Sequence, residues 1–116
     1  MSDFKIYHNP RCSKSRQTLA LLQENGVEPE IIEYLINPPS AKELTEVIKL
    51  LKVSPQDIMR KKEAEYKEAG LDNKNLSDKE QIKQMVAFPK VIERPIVIGN
   101  GKAAIGRPPE NVLDIL

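Results

Sequence analysis

The chain has one cysteine, Cys12, and one histidine, His8. A lone thiol cannot close an intrachain disulfide, which fits a reducing compartment such as the cytosol. Whatever Cys12 does, it does without a partner thiol in its own chain. One Cys and one His also cannot supply a closed ligand set, so no metal site is expected. Long apolar runs are missing as well: nothing approaches the ~20 residues of a bilayer span. The opening Met-Ser-Asp-Phe-Lys-Ile mixes charged with apolar residues and lacks the apolar core of a signal peptide, so neither a leader nor a membrane partner is expected. An excess of one charge is absent too. Lys+Arg number 18 against Asp+Glu 17, a net charge of +1, without the basic surplus that drives non-specific nucleic-acid binding. There is no internal repeat, low-complexity segment or linker.

What is present suits a single folded domain over residues 1–116, with 40% hydrophobic and 30% charged residues. A chain of this length should bury roughly 65% of its unfolded surface. A strand is predicted at Phe4–Tyr7, then a turn-rich His8-Asn9-Pro10, then a helix from about Ser15 to Asn25 stopped by Gly26. A second strand fits Ile31–Tyr34. Ser40 and Glu43 form a capping box ahead of a helix with Leu44, Val47, Ile48 and Leu51 on one face. Ser54-Pro55 restarts a helix, and the mixed-sign stretch from Arg60 to Glu65 reads as a solvated helical face, Arg60 excepted. Ser77 and Glu80 cap a helix with Ile82, Met85 and Val86 that ends before Pro89. Ile96–Ile98 and Ala103–Ile105 read as a hairpin around Gly99-Asn100-Gly101, and Pro109–Leu116 as a closing helix with Val112, Leu113 and Leu116 apolar. The first two strands must be parallel, because a helix crosses between them. The expected fold is α/β: a thioredoxin-like, four-stranded mixed sheet with flanking helices, and Cys-x-x-Ser at the first strand-to-helix junction.

Cys12 precedes that helix, so free amide N–H groups and the positive end of the helix dipole should face its sulfur and favour the thiolate. Arg11, Lys14 and Arg16 add positive charge, and the hydroxyls of Ser13 or Ser15 can donate to the sulfur. A lone cysteine is often a small buried hydrophobe; this one lies in a polar, proline-bounded loop. His8, four residues earlier, is read as orienting the loop, with a direct influence on the thiolate as the other reading. The basic residues are 13 Lys and only five Arg: Arg11 and Arg16 flank the thiol, Arg94 and Arg107 each precede a proline, and Arg60 is the fifth. Arginine's planar fork suits oxyanions as lysine's point charge does not, so three arginines brought to one thiolate would hold a tetrahedral oxyanion. Surface ion pairing is the alternative for Arg94 and Arg107. Arg94-Pro95 is a candidate cis bond.

The run His8-Asn9-Pro10-Arg11-Cys12-Ser13-Lys14-Ser15-Arg16, with Arg60, Glu93-Arg94-Pro95-Ile96 and Gly106-Arg107-Pro108, resembles the glutaredoxin-coupled arsenate reductase family across essentially the whole chain. The resemblance implies a thioredoxin-like fold with a helical insert, Cys12 as nucleophile, and Arg60, Arg94 and Arg107 as the oxyanion-binding arginines. It also implies arsenate as substrate, glutathione as co-substrate, glutathione and glutaredoxin as the electron donors, and no bound cofactor. Ser13-Lys14 stands where typical members carry Gly-Thr, which places the chain near a less characterised branch. A related group of this fold binds RNA polymerase and senses thiol stress through Cys-x-x-Cys; Ser15 at the second position removes that switch, which leaves a constitutive binding role as the alternative function. A cysteine phosphatase loop, Cys-x-x-x-x-x-Arg, would need arginine where Thr18 stands.

Overall fold

The computed structural model describes residues 4–116; the start of the chain read above for a leader, Met1–Asp3, lies outside them. The chain divides into two compact units. One runs to Asn37 and resumes over Arg94–Leu116, and the other is Pro38–Glu93.

The first unit holds the expected mixed sheet. Strands β1 (Lys5–His8), β2 (Glu30–Glu33), β3 (Ile96–Gly99) and β4 (Lys102–Ile105) lie in the order β2-β1-β3-β4. Helix α1 (Ser13–Glu24) carries the chain from β1 to β2, and that pair is parallel, with Ile6 opposite Ile31; β1 and β3, and β3 and β4, are antiparallel. The β3–β4 turn is Asn100-Gly101, with φ of 53° and 70°. Two successive positive φ values define the turn whose twist matches a hairpin, and Asn-Gly tolerates them best. The core packs Ile6, Leu22, Val97, Val112 and Ile115 together, with Phe4, Leu19 and Ala104 against them. Phe4 lies so close over Gly99 that a Cβ there would enter its ring.

Two boundaries differ from the sequence reading for identifiable reasons. Helix α1 begins at Ser13, not Ser15, because the Cys12 carbonyl already accepts the Arg16 N–H at 3.0 Å, making Cys12 itself the N-cap. The closing segment Pro109–Ile115 is a 3₁₀-helix. With three residues per turn its inner face is Pro109, Val112 and Ile115, so Leu113 and Leu116, expected to be part of the apolar set, stay exposed.

The second unit is helical: α2 (Ala41–Leu51), a 3₁₀ turn at Pro55–Ile58, α3 (Ala64–Glu68), α4 (Asp78–Ala87) and a second 3₁₀ turn at Pro89–Val91. Both expected capping boxes are present, Ser40 with Glu43 and Ser77 with Glu80. Helix α2 packs on α4 and buries Leu44, Val47 and Ile48. The helical face expected from Arg60 to Glu65 shortens to a helix starting at Ala64. Arg60 instead lies beside a β-bridge between Met59 and Ile92, where its N–H donates to the Val91 carbonyl at 2.7 Å.

The 3₁₀ register of the tail has a direct test. Ile115→Ala should lower unfolding free energy by about 2 kcal/mol, the loss typical of a buried isoleucine, while Leu113→Ala should stay within about 0.5 kcal/mol of the parent. Chemical denaturation of both variants checks it; equal losses would place the tail in the α-helical register instead.

Candidate active site

The thiol loop is built from hydrogen bonds within a few residues. Strand β1, inside the sheet, ends at the buried His8. Asn9 then organises the turn through three groups. Its carbonyl accepts the Cys12 N–H at 3.0 Å, its side-chain Oδ1 accepts the Arg11 N–H at 3.0 Å, and its own N–H donates to Ser15 Oγ at 3.0 Å. The Asx contact explains why an asparagine shapes this turn. Arg16 closes the loop from outside, donating from Nη1 to the Pro10 carbonyl at 2.9 Å.

Ser15 Oγ lies 2.6 Å from His8 Nδ1. With Oγ accepting from Asn9, the hydroxyl proton is available for Nδ1 of a neutral imidazole. Burial holds the His8 imidazole below its ordinary value; the Glu33 carboxylate opposes this and Arg16 reinforces it. His8 and Ser15 are thus joined to each other, and Ser15 to Asn9, within the loop. The Ser15 hydroxyl, expected as a donor to sulfur, is engaged with His8 and Asn9, and what Ser15 presents to Cys12 is its backbone N–H.

Cys12 is half-buried at the N-terminus of α1. Burial alone pushes its thiol up. The backbone N–H of Ser15, the charge of Arg94, the backbone N–H of Lys14 and a hydrogen bond from the Arg94 guanidinium together outweigh burial and hold it below the ordinary thiol value. The net direction is the one that thiolate chemistry requires.

Arg94 and Arg107 are brought together within the sheet unit. Gly106 N–H donates to the Pro95 carbonyl at 2.9 Å, and Arg107 Nη1 reaches the Arg94 carbonyl at 3.4 Å. Both arginines precede cis prolines, Arg94-Pro95 and Arg107-Pro108. Arg60 belongs to the helical unit, where its Nη2 pairs with Glu63 at 2.7 Å, both side chains half-buried. Asn9, within the turn expected at His8-Asn9-Pro10, thus makes backbone and side-chain contacts on which the loop is built. Among the described residues no three His, Cys, Asp or Glu side chains cluster as metal ligands, and no helix is long and apolar enough to cross a membrane.

Ultraviolet absorbance of the thiolate, followed against pH and corrected with Cys12→Ser, should give a midpoint below that of a free cysteine, and Arg94→Met should move it upward. A midpoint at or above the free value in the parent would remove the basis for nucleophilic chemistry.

The chain is similar over nearly its whole length to several known proteins. The chain is 57% identical over 113 residues to the uncharacterized protein YfgD of Escherichia coli, covering 97% of this chain and 95% of that one. It is 48% identical over 117 residues to an arsenate reductase of Neisseria meningitidis, covering all of both chains. The solved structure of an arsenate reductase from Vibrio cholerae superimposes with a TM-score of 0.93 at 50% identity, over 97% of each chain. Residues 7–115 match the ArsC family, and with relatives this similar over its whole length the chain belongs to the ArsC family, with its thioredoxin-like fold.

Proposed function

We propose that the protein reduces arsenate to arsenite, with Cys12 as nucleophile and glutathione and glutaredoxin supplying the electrons in the cytoplasm. The reading rests on Cys12 standing at the N-terminus of α1, where backbone N–H groups and the Arg94 guanidinium lower its thiol below the ordinary value against the opposing effect of burial. The arsenate reductases among its relatives support the choice of oxyanion.

In this reading the thiolate attacks arsenic and an oxygen departs as water, leaving an As–S bond with arsenic still pentavalent. Reduction needs two electrons. One glutathione thiol attacks the adduct at the Cys12 sulfur, breaking the As–S bond so that its electron pair leaves with arsenite and Cys12 remains in a mixed disulfide. A second glutathione thiol, through glutaredoxin, frees Cys12, and arsenate and two thiols give arsenite, a disulfide and water. The thiols must come from outside because Cys12 is the only one in the chain. Arg94 and Arg107 would neutralise the anion and stabilise the charge that builds on oxygen. Arg60 is proposed as the third arginine; Glu63 holds its fork, so an anion would have to compete with that carboxylate. No bound cofactor enters any step.

A coupled assay with arsenate, glutathione, glutaredoxin, glutathione reductase and NADPH should show NADPH oxidation that depends on every component and is absent in Cys12→Ser. No oxidation above that control would move the reading to an RNA-polymerase-binding protein of the same fold, which a pull-down with the polymerase would then detect.

Arg94→Lys and Arg107→Lys should each lower kcat/KM for arsenate by roughly a hundredfold, the scale of losing one oxyanion donor, since the charge is kept and the fork is lost. Lys61→Ala and Lys62→Ala, at exposed positions, should stay near the parent. Lysine variants with parental turnover would make the two arginines structural.

A further inference from the structure

Helix α1 carries two polar residues on the face that packs inward: Ser15 and Thr18 are both fully buried, beside Leu22. His8 and Asn9 account for Ser15. Thr18 has no part in the chemistry described above. Its hydroxyl donates to the Lys14 carbonyl one turn back at 2.8 Å and also reaches the Gly106 carbonyl at 3.3 Å. Gly106 is buried and does not have a positive φ, so backbone freedom does not explain it. Space does: a Cβ there would run into Oγ1 and Cγ2 of Thr18 and into Cγ of Pro95. Thr18 therefore meets Gly106 with its methyl by packing and with its hydroxyl by a shared hydrogen bond.

The segment it meets carries both arginines of the sheet unit. Gly106 N–H bonds the Pro95 carbonyl, Arg107 N–H bonds the Ile105 carbonyl at 2.9 Å, and the Arg107 guanidinium reaches the Arg94 carbonyl. These bonds tie Arg94-Pro95 and Gly106-Arg107 into one piece, and Thr18 joins that piece to the helix that presents Cys12. We infer that Thr18 is a positioning residue: through Gly106 it fixes the spacing between the Cys12 end of α1 and the Arg94–Arg107 pair. The inference extends the proposed function, and its first readout is independent of it. The Arg94 guanidinium bonds the Cys12 sulfur directly, so a change in spacing alters the thiol itself before any substrate is added.

Two substitutions separate the hydroxyl from the bulk. Thr18→Val keeps the shape and removes the proton donor; Thr18→Ser keeps the donor and removes the methyl. The measurements are the rate of Cys12 alkylation by iodoacetamide against pH, without arsenate, and the arsenate concentration that halves this rate. Thr18→Val should shift the alkylation profile to higher pH, toward that of Arg94→Ala, and raise the half-protecting arsenate concentration by roughly tenfold, within what misplacement by a fraction of an ångström can do. Thr18→Ser should stay within about twofold of the parent, a small change for a retained donor. If Thr18→Val only lowers Tm and leaves the profile and the protection at parental values, Thr18 is structural and the inference is overturned. A Thr18→Ser shift as large as that of Thr18→Val overturns the role given to the hydroxyl. Should Thr18→Val fail to fold, Gly106→Ala forces the same junction apart from the other side, and a parental alkylation profile in that variant overturns the inference. A parent that neither reduces nor binds arsenate, with Thr18→Val still shifting the profile, would remove the proposed function and leave the positioning role standing.

Discussion

The site depends on easing negative charge onto one sulfur where a helix begins. Partial burial works against the charge, and the dipole of α1 contributes only about 0.3–1 kcal/mol at such a position. Hydrogen bonds to a charged acceptor are each worth about 1.5–3 kcal/mol, so the N–H groups of Ser15 and Lys14 and the Arg94 guanidinium decide the balance. The N–H groups point at the sulfur because Cys12 is the N-cap, and it is the N-cap because Asn9 turns the chain there. The buried end of β1 fixes that turn through His8 and Ser15. A neutral His8 suits this position, since a charged imidazole there would be buried, close to Arg16, and unable to accept the Ser15 proton.

The arginines show why placement matters more than charge. The chain has more than twice as many lysines as arginines, yet the residues at the β3 and β4 junctions are arginines followed by cis prolines. A guanidinium offers several donors in one plane, so Arg94 can bond the sulfur through its side chain while its carbonyl receives Arg107. An ammonium is a point charge without that fork. Glu63 keeps Arg60 paired within the helical unit, which avoids leaving a half-buried cation without a counter-charge.

Much of this was legible in the sequence, because each strong signal there has a local cause. Both capping boxes, the Asn-Gly hairpin and the parallel first strand pair follow from neighbouring residues, and all are found. The helix-terminal cysteine and the arginines before prolines were also readable. What escaped depends on contacts between distant segments. Nothing local to Pro109–Ile115 distinguishes a 3₁₀ turn from an α-helix, and the inward face of Val112 and Ile115 is set by the core with Ile6 and Leu22. The work of Thr18 requires Gly106, 88 positions away in the chain. A pattern of apolar spacing treats a buried threonine as a lapse in the stripe, whereas here it is a contact between helix and loop.

The proposed reaction turns on a direct bond between the Cys12 sulfur and arsenic. X-ray absorption at the arsenic edge, on protein mixed with arsenate in the absence of glutathione, reports that bond without relying on turnover. The expected spectrum shows pentavalent arsenic with a single sulfur neighbour beside its oxygens, and Cys12→Ser shows oxygen neighbours alone. Arsenic surrounded only by oxygen in the parent protein, at arsenate concentrations that saturate the site, would contradict the nucleophilic role of Cys12.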